Sequence, residues 1–189
     1  MKSLVVTKDN VAAFFKGINE LVSKHVLVGI PDSTTDRDDE VSGPMTNATL
    51  GYIHENGSPA RNIPERPFLI PGVEDKQDAI AAKLKQAANA TIDGDSEKAD
   101  QLLEQAGMIG QSGARDRINS GEFAPLAPAT IRNRRRSRNT QTMRANEREY
   151  LDMVADGVAP EDAQNAAGIQ PLINTAQLRN ALTYVVRKK

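Results

Sequence analysis

The sequence predicts an α+β fold in which a small antiparallel or mixed sheet packs against several helices and a long extended loop forms an arm. Three observations lead there. Residues 9–24 place Val11, Phe14, Phe15, Ile18, Leu21 and Val22 at the i, i+3, i+4, i+7 spacing of an amphipathic helix. Apolar, β-branched runs at 25–30 and 182–187 read as two strands of one sheet. Two longer stretches, 73–92 and 96–119, have helical composition with one apolar stripe each.

Taken in order, the first helix has Asp9 or Asn10 available as its N-cap. It leads directly into His25-Val26-Leu27-Val28-Gly29-Ile30, a strand that Pro31 ends. Residues 31–45 are Ser, Thr, Asp, Gly and Pro with almost nothing apolar, which makes them a loop. Thr46 or Asn47 caps a short helix that Gly57 closes. Prolines 64, 67 and 71 then hold the backbone extended and set Phe68 and Leu69 at the tip of an arm suited to fastening on a neighbour.

After the arm, Ile80, Leu84, Ala87, Ala88 and Ile92 make a thin stripe that buries little alone and calls for a close partner. Asp93-Gly94-Asp95 breaks that helix, and Ser96 caps the next. Within it Gly107, Gly110 and Gly113 recur every third residue. No strand precedes them and no lysine follows, so they read as a place of close backbone approach or a bend rather than a phosphate loop. Residues 120–128 turn into a short helix opened by Pro128. Residues 137–170 are polar and weakly helical, with Tyr150, Leu151, Val154 and Val158 as one modest stripe, and read as an insertion. Asn174 caps a last short helix that runs on into the second strand. The 189 residues suit a single domain, 1–189, carrying that insertion.

Composition excludes several function classes. Hydrophobic residues are 39% of the chain, aromatics only 4% and tryptophan absent, a lean supply that predicts reliance on partners. A net charge of −1 excludes a globally basic nucleic-acid binder, although acids crowd into 32–40 and arginines into 132–148. Without cysteine there are no disulfides and no thiolate chemistry. No export-signal pattern and no membrane-length apolar run is present, so a soluble protein with no membrane partner is expected.

Candidate chemistry is equally sparse. His54-Glu55 resembles the start of a zinc-protease helix, but Ser58 stands where the second histidine belongs, and His25 is the one other histidine. Asp32, Asp36, Asp38, Asp39 and Glu40 fit no EF-hand spacing and read as a solvated acidic loop. No serine sits in a nucleophile elbow. The expectation is a non-enzyme with no catalytic residue, metal or cofactor.

Arg132, Arg134, Arg135, Arg136 and Arg138 form the densest charge in the chain, with no aromatic interleaved for base stacking. Three readings compete: a solvated or partner-bound helix face, a basic surface facing DNA within a larger assembly, and a free-standing DNA-binding or packaging accessory protein.

Three blocks carry a family resemblance. They are Ile53-His54-Glu55-Asn56-Gly57 with Ile63-Pro64-Glu65-Arg66-Pro67-Phe68-Leu69, then Pro125-Leu126-Ala127-Pro128-Ala129-Thr130-Ile131-Arg132, then Pro171 through Tyr184. In this order they resemble the tail-completion and virion-morphogenesis proteins of tailed bacteriophages, of Mu-like or P2-like type and more loosely the HK97-type neck proteins. In that family the second and third blocks lie close together, whereas 137–170 intervene here, and Asn174-Thr175-Ala176 replaces Asp-Thr-Gly. The resemblance implies a structural virion protein of the neck or tail, assembled in the host cytoplasm. It further implies a homo-oligomeric ring, typically hexameric, between the head connector or adaptor proteins and the tail terminator or tube, with no catalytic role. On that reading Ile63, Pro64, Arg66, Pro67, Phe68 and Leu69 are the interface. If the ring surrounds the DNA exit path, the arginines could face the lumen in non-specific contact with genomic DNA.

Overall fold

The structure, a computed structural model, describes residues 11–32, 46–134, 143–173 and 176–188. The fold is α+β and mostly helical, with one antiparallel two-stranded sheet. Where the length suited one domain, backbone contacts divide the chain into two compact units. Unit 1 is Met1–Pro31, Leu69–Arg115 and Leu182–Lys189; unit 2 is Asp32–Phe68 and Asp116–Ala181.

Unit 1 opens with α1 (Val11–Val22), which passes almost at once into β1 (Lys24–Gly29). It continues with α3 (Leu69–Glu74), α4 (Gln77–Ile92) and α5 (Ser96–Ser120, up to Arg115 in this unit), and ends on β2 (Thr183–Lys188). The strands pair from Lys24↔Lys188 to Gly29↔Thr183. Val26 and Val186, on one face of the pair, pack on a seam of Ala87, Ala90, Ala99, Leu102 and Leu103 from α4 and α5, and Leu21 of α1 joins them. The chain enters β2 under control of α5, because Gln111 Nε2 (2.6 Å) and Arg115 Nη2 (2.8 Å) both donate to the Leu182 carbonyl.

The glycine series on α5 is a surface of close approach. A methyl group at Gly113 would stand 2.0 Å from the carbonyl oxygen of Gly72 in α3, and one at Gly107 would stand 2.3 Å from the Tyr184 ring. Bare backbone is therefore what lets α3 and β2 reach α5. The helix expected over 73–92 is two helices. Leu69 to Glu74 already coil, since Pro71 falls in a first turn whose N–H groups need no intrahelical acceptor, and the chain turns at Asp75-Lys76 before α4.

Unit 2 comprises α2 (Asn47–Asn56), a 3-10 turn (Pro59–Arg61), the proline segment, the end of α5, then α6 (Pro128–Asn133), α7 (Ala145–Ala155), α8 (Pro160–Ala166) and α9 (Gln177–Ala181). Thr46 caps α2 as expected, its Oγ1 accepting from the Thr49 N–H at 3.1 Å. Asn174, the cap expected for the last short helix, and the caps expected for α1, Asp9 and Asn10, lie outside the described residues. Pro128 and Pro160 open their helices with fixed φ and no orphan N–H.

The segment 137–170, polar in composition, packs more in its described part than that composition suggests. Residues 143–170 of that segment supply much of the core of unit 2: Tyr150, Ala163, Ala167 and Ile169 close with Leu126 and Ile131 into one apolar cluster. Polar atoms inside it are met. The Tyr150 hydroxyl donates to the Leu126 carbonyl, and Gln164 Oε1 accepts the Leu126 N–H at 3.0 Å. An apparently polar stretch thus wraps a loop whose backbone its own side chains satisfy.

Candidate functional site

The proline segment folds back on the chain instead of projecting. Gly57 turns at φ 69°, where a Cβ would meet Ile63 O at 3.0 Å, and Ser58 and Ile63 exchange two backbone hydrogen bonds of 2.8 and 3.0 Å. From there Arg66 N donates to His54 O at 2.7 Å, and Phe68 N donates to Glu55 Oε2 at 2.8 Å. The Arg66 fork spans two successive carbonyls, Nε to Ala124 (2.9 Å) and Nη2 to Pro125 (2.9 Å), and burial lowers its pKa.

These ties correct the expectation of a fastening arm. Phe68 is 1% exposed and Arg66 4%, Ile63, Pro67 and Leu69 are half-buried, and Pro64 alone of the six is exposed. The physical reason is that prolines fix the extended geometry while the guanidinium and the Glu55 carboxylate decide its direction, which is inward. Phe68 belongs to the core of unit 2.

The arginine cluster is likewise divided. Arg132 is exposed at the end of α6. Arg134 is drawn in, its Nη1 3.1 Å from Glu147 Oε1, with both side chains largely buried. Glu147 Oε2 also accepts the Arg144 N–H at 3.2 Å, so one carboxylate holds the start of α7 and neutralises Arg134. That pairing removes Arg134 from a DNA-facing surface. Arg135, Arg136 and Arg138 lie outside the described residues.

What sequence reasoning missed is the bare apolar surface of unit 1. All but Tyr52 and Val158 of the large apolar side chains left exposed among the described residues belong to this unit. On α1, Val11 and Phe15 are each 58% exposed and Val22 71%, and the Phe14 ring meets the Phe15 ring edge-on at 5.7 Å. Helix α4 adds Leu84 and Ile92. The sheet contributes Leu27 (49%) opposite Val185 (39%), on the face turned away from the alanine seam. That face holds a groove of about 390 Å³ lined by Leu27, Ile30, Thr183, Val185 and Arg187.

The signal for α1 was in the sequence but was read one way only. Its six large apolar positions fall on one face of the helix, within an arc of roughly 120° at 100° per residue, and of them Leu21 packs on the unit's own core while Val11, Phe14, Phe15 and Val22 stay exposed.

Beside this surface an ionic network ties α1 to both strands and α5. Lys24 pairs with Asp100 and, at 3.5 Å, with Glu20; Lys188 reaches Glu20 at 3.3 Å. The Lys188 hydrogen bond and the Lys24 charge lower the Glu20 pKa. Burial acts to lower that of Lys24, but its bonds and charge contacts with Asp100 and Glu20 raise it on balance. No group of three or more His, Asp or Glu side chains is placed to hold a metal ion among the described residues, and no helix there is long and apolar enough to cross a membrane. The arrangement offers adhesive surface and fixed charge. Comparison of the chain with protein-family models, with curated proteins and with solved structures finds no match.

Proposed function

We propose that this chain is a structural virion protein that completes a phage neck or tail, standing between the head connector and the tail so that the two join, and that it assembles through unit 1. The observation that carries the assembly role is the exposed apolar surface of α1 and the β1–β2 pair. Exposed apolar surface of that extent is characteristic of an interaction site, and leaving it in water opposes solubility. The phage setting rests on the order of the three sequence blocks, from Ile53 to Tyr184. The fastening role moves from the proline segment, whose Arg66 and Phe68 the chain itself buries, to α1 and the strands.

The test is in vitro complementation. A lysate of phage lacking this chain should hold filled heads and free tails that join when the purified protein is added, and should fail to join with the Phe14→Ser/Phe15→Ser variant. Heads and tails that join without the chain would refute the reading.

A further inference from the structure

Two apolar surfaces of unit 1 stay exposed among the described residues, and they differ in shape. One is convex: Val11, Phe15 and Val22 fall on one stripe of α1, with Phe14 beside Phe15. The other is concave, the groove of about 390 Å³ on the bare face of the β1–β2 pair, floored by the cross-strand pair Leu27 and Val185. We propose that this groove receives α1 of a second copy, so that the chain associates head to tail. The inference rests on the reading of unit 1 as the assembly surface and names its partner.

Dimensions agree. From Val11 to Val22 the stripe is about 17 Å long at 1.5 Å per residue, and a six-residue strand extends about 20 Å. Area agrees as well. The uncovered parts of Val11, Phe14, Phe15 and Val22 amount to roughly 400 Å² of apolar surface. At the ~60% apolar content of an interface this implies roughly 650 Å² per partner, close to the ~800 Å² of a stable complex.

Charge selects the direction. The bare face ends in His25 opposite Arg187, whereas α1 has no basic side chain in its last turn and presents the negative end of its dipole there. Laying the Val22 end over Arg187 places Phe15 and Val11 toward Ile30. Pairing α1 with α1, or sheet face with sheet face, covers one surface and leaves the other bare. A contact between unlike surfaces covers both and generates rings or filaments by repetition.

Sedimentation velocity of the full chain decides the matter. Wild type should self-associate with rising concentration up to about 100 µM. Phe15→Glu and Leu27→Glu, both at exposed positions, should keep the wild-type circular dichroism and sediment as monomers, with association weakened at least tenfold. Mixed one to one they should form a dimer that grows no further, because each then offers one intact surface. Should either fail to fold, Val11→Lys and Val185→Lys probe the same two surfaces.

Leu27→Glu that still dimerises would put α1 against α1, Phe15→Glu that still dimerises would put face against face, and a monomeric wild type would exclude self-association. Each overturns the proposal. The neck reading is scored separately: a wild type that restores head–tail joining yet stays monomeric defeats this inference alone, and one that self-associates without restoring joining defeats the other.

Discussion

Unit 1 and unit 2 draw on the same lean supply of apolar residues and distribute it in opposite ways. Unit 2 buries its large side chains, with Phe68, Ile118, Leu126, Ile131 and Tyr150 all inside. Unit 1 closes mainly on alanine, with Ala87, Ala90, Ala99, Ala106 and Ala114 buried beside Leu102, Leu103 and Leu182, and leaves Phe14, Phe15, Val22 and Leu27 outside. Burial stabilises in proportion to apolar area, so a seam of alanines gives little per residue, and the larger side chains remain free for contact. Packing in unit 2 serves its own stability. In unit 1 the same kind of residue stays exposed, as the proposed assembly role requires.

Substitutions should separate the two regimes. Tyr150→Ala removes the largest buried side chain of unit 2 and a hydrogen bond to Leu126, and should cost about 4 kcal/mol in urea unfolding. Glu147→Gln leaves Arg134 buried beside a neutral amide and should cost about 3 kcal/mol by the same measurement. Gly113→Ala should cost about 2 kcal/mol, since the added methyl must displace the Gly72 carbonyl. Phe15→Ser, on the bare face, should change stability by no more than about 0.5 kcal/mol while lowering association. A loss at Phe15 as large as that at Tyr150 would erase the contrast.

Acid gives a subtler distinction. Glu20 has its folded pKa below the ordinary 4.5, so the stability it contributes is present above that value and lost as pH falls through the lower folded one. Lys24, raised above 10.5, contributes below that value and loses its contribution as pH rises through the folded one. Protection factors of the β1 and β2 amides, with the intrinsic pH dependence of exchange divided out, should therefore stay level across neutral pH and fall below about 4.5 as the Glu20 anchor protonates. Unchanged protection factors in those strands down to pH 3 would show that the anchor contributes nothing.

Much of the fold was legible, and the failures share a cause. Both strands, the helix over 96–119 and the Thr46 cap follow from local pattern, and local pattern survives in the structure. The direction of the proline segment does not, because it depends on Arg66 meeting carbonyls at Ala124 and Pro125, far along the chain. The core role of 143–170 is hidden for a similar reason. Ala163, Ala167 and Ile169 are small or isolated in sequence and become a core only beside Tyr150 and Ile131. For α1, periodicity gave the helix and its one apolar face but could not say how much of that face the chain would cover itself.

The central claim is that assembly covers the bare apolar surface of unit 1 and leaves the proline segment as it is. Hydroxyl-radical footprinting of the free chain and of the chain incorporated into head–tail assemblies tests it directly. The account predicts strong protection of Phe14, Phe15, Leu27 and Val185 on assembly, with Ile63, Phe68 and Tyr150 labelled equally in both states. Protection confined to Ile63–Leu69, with α1 and the strands still labelled as in the free chain, would contradict it.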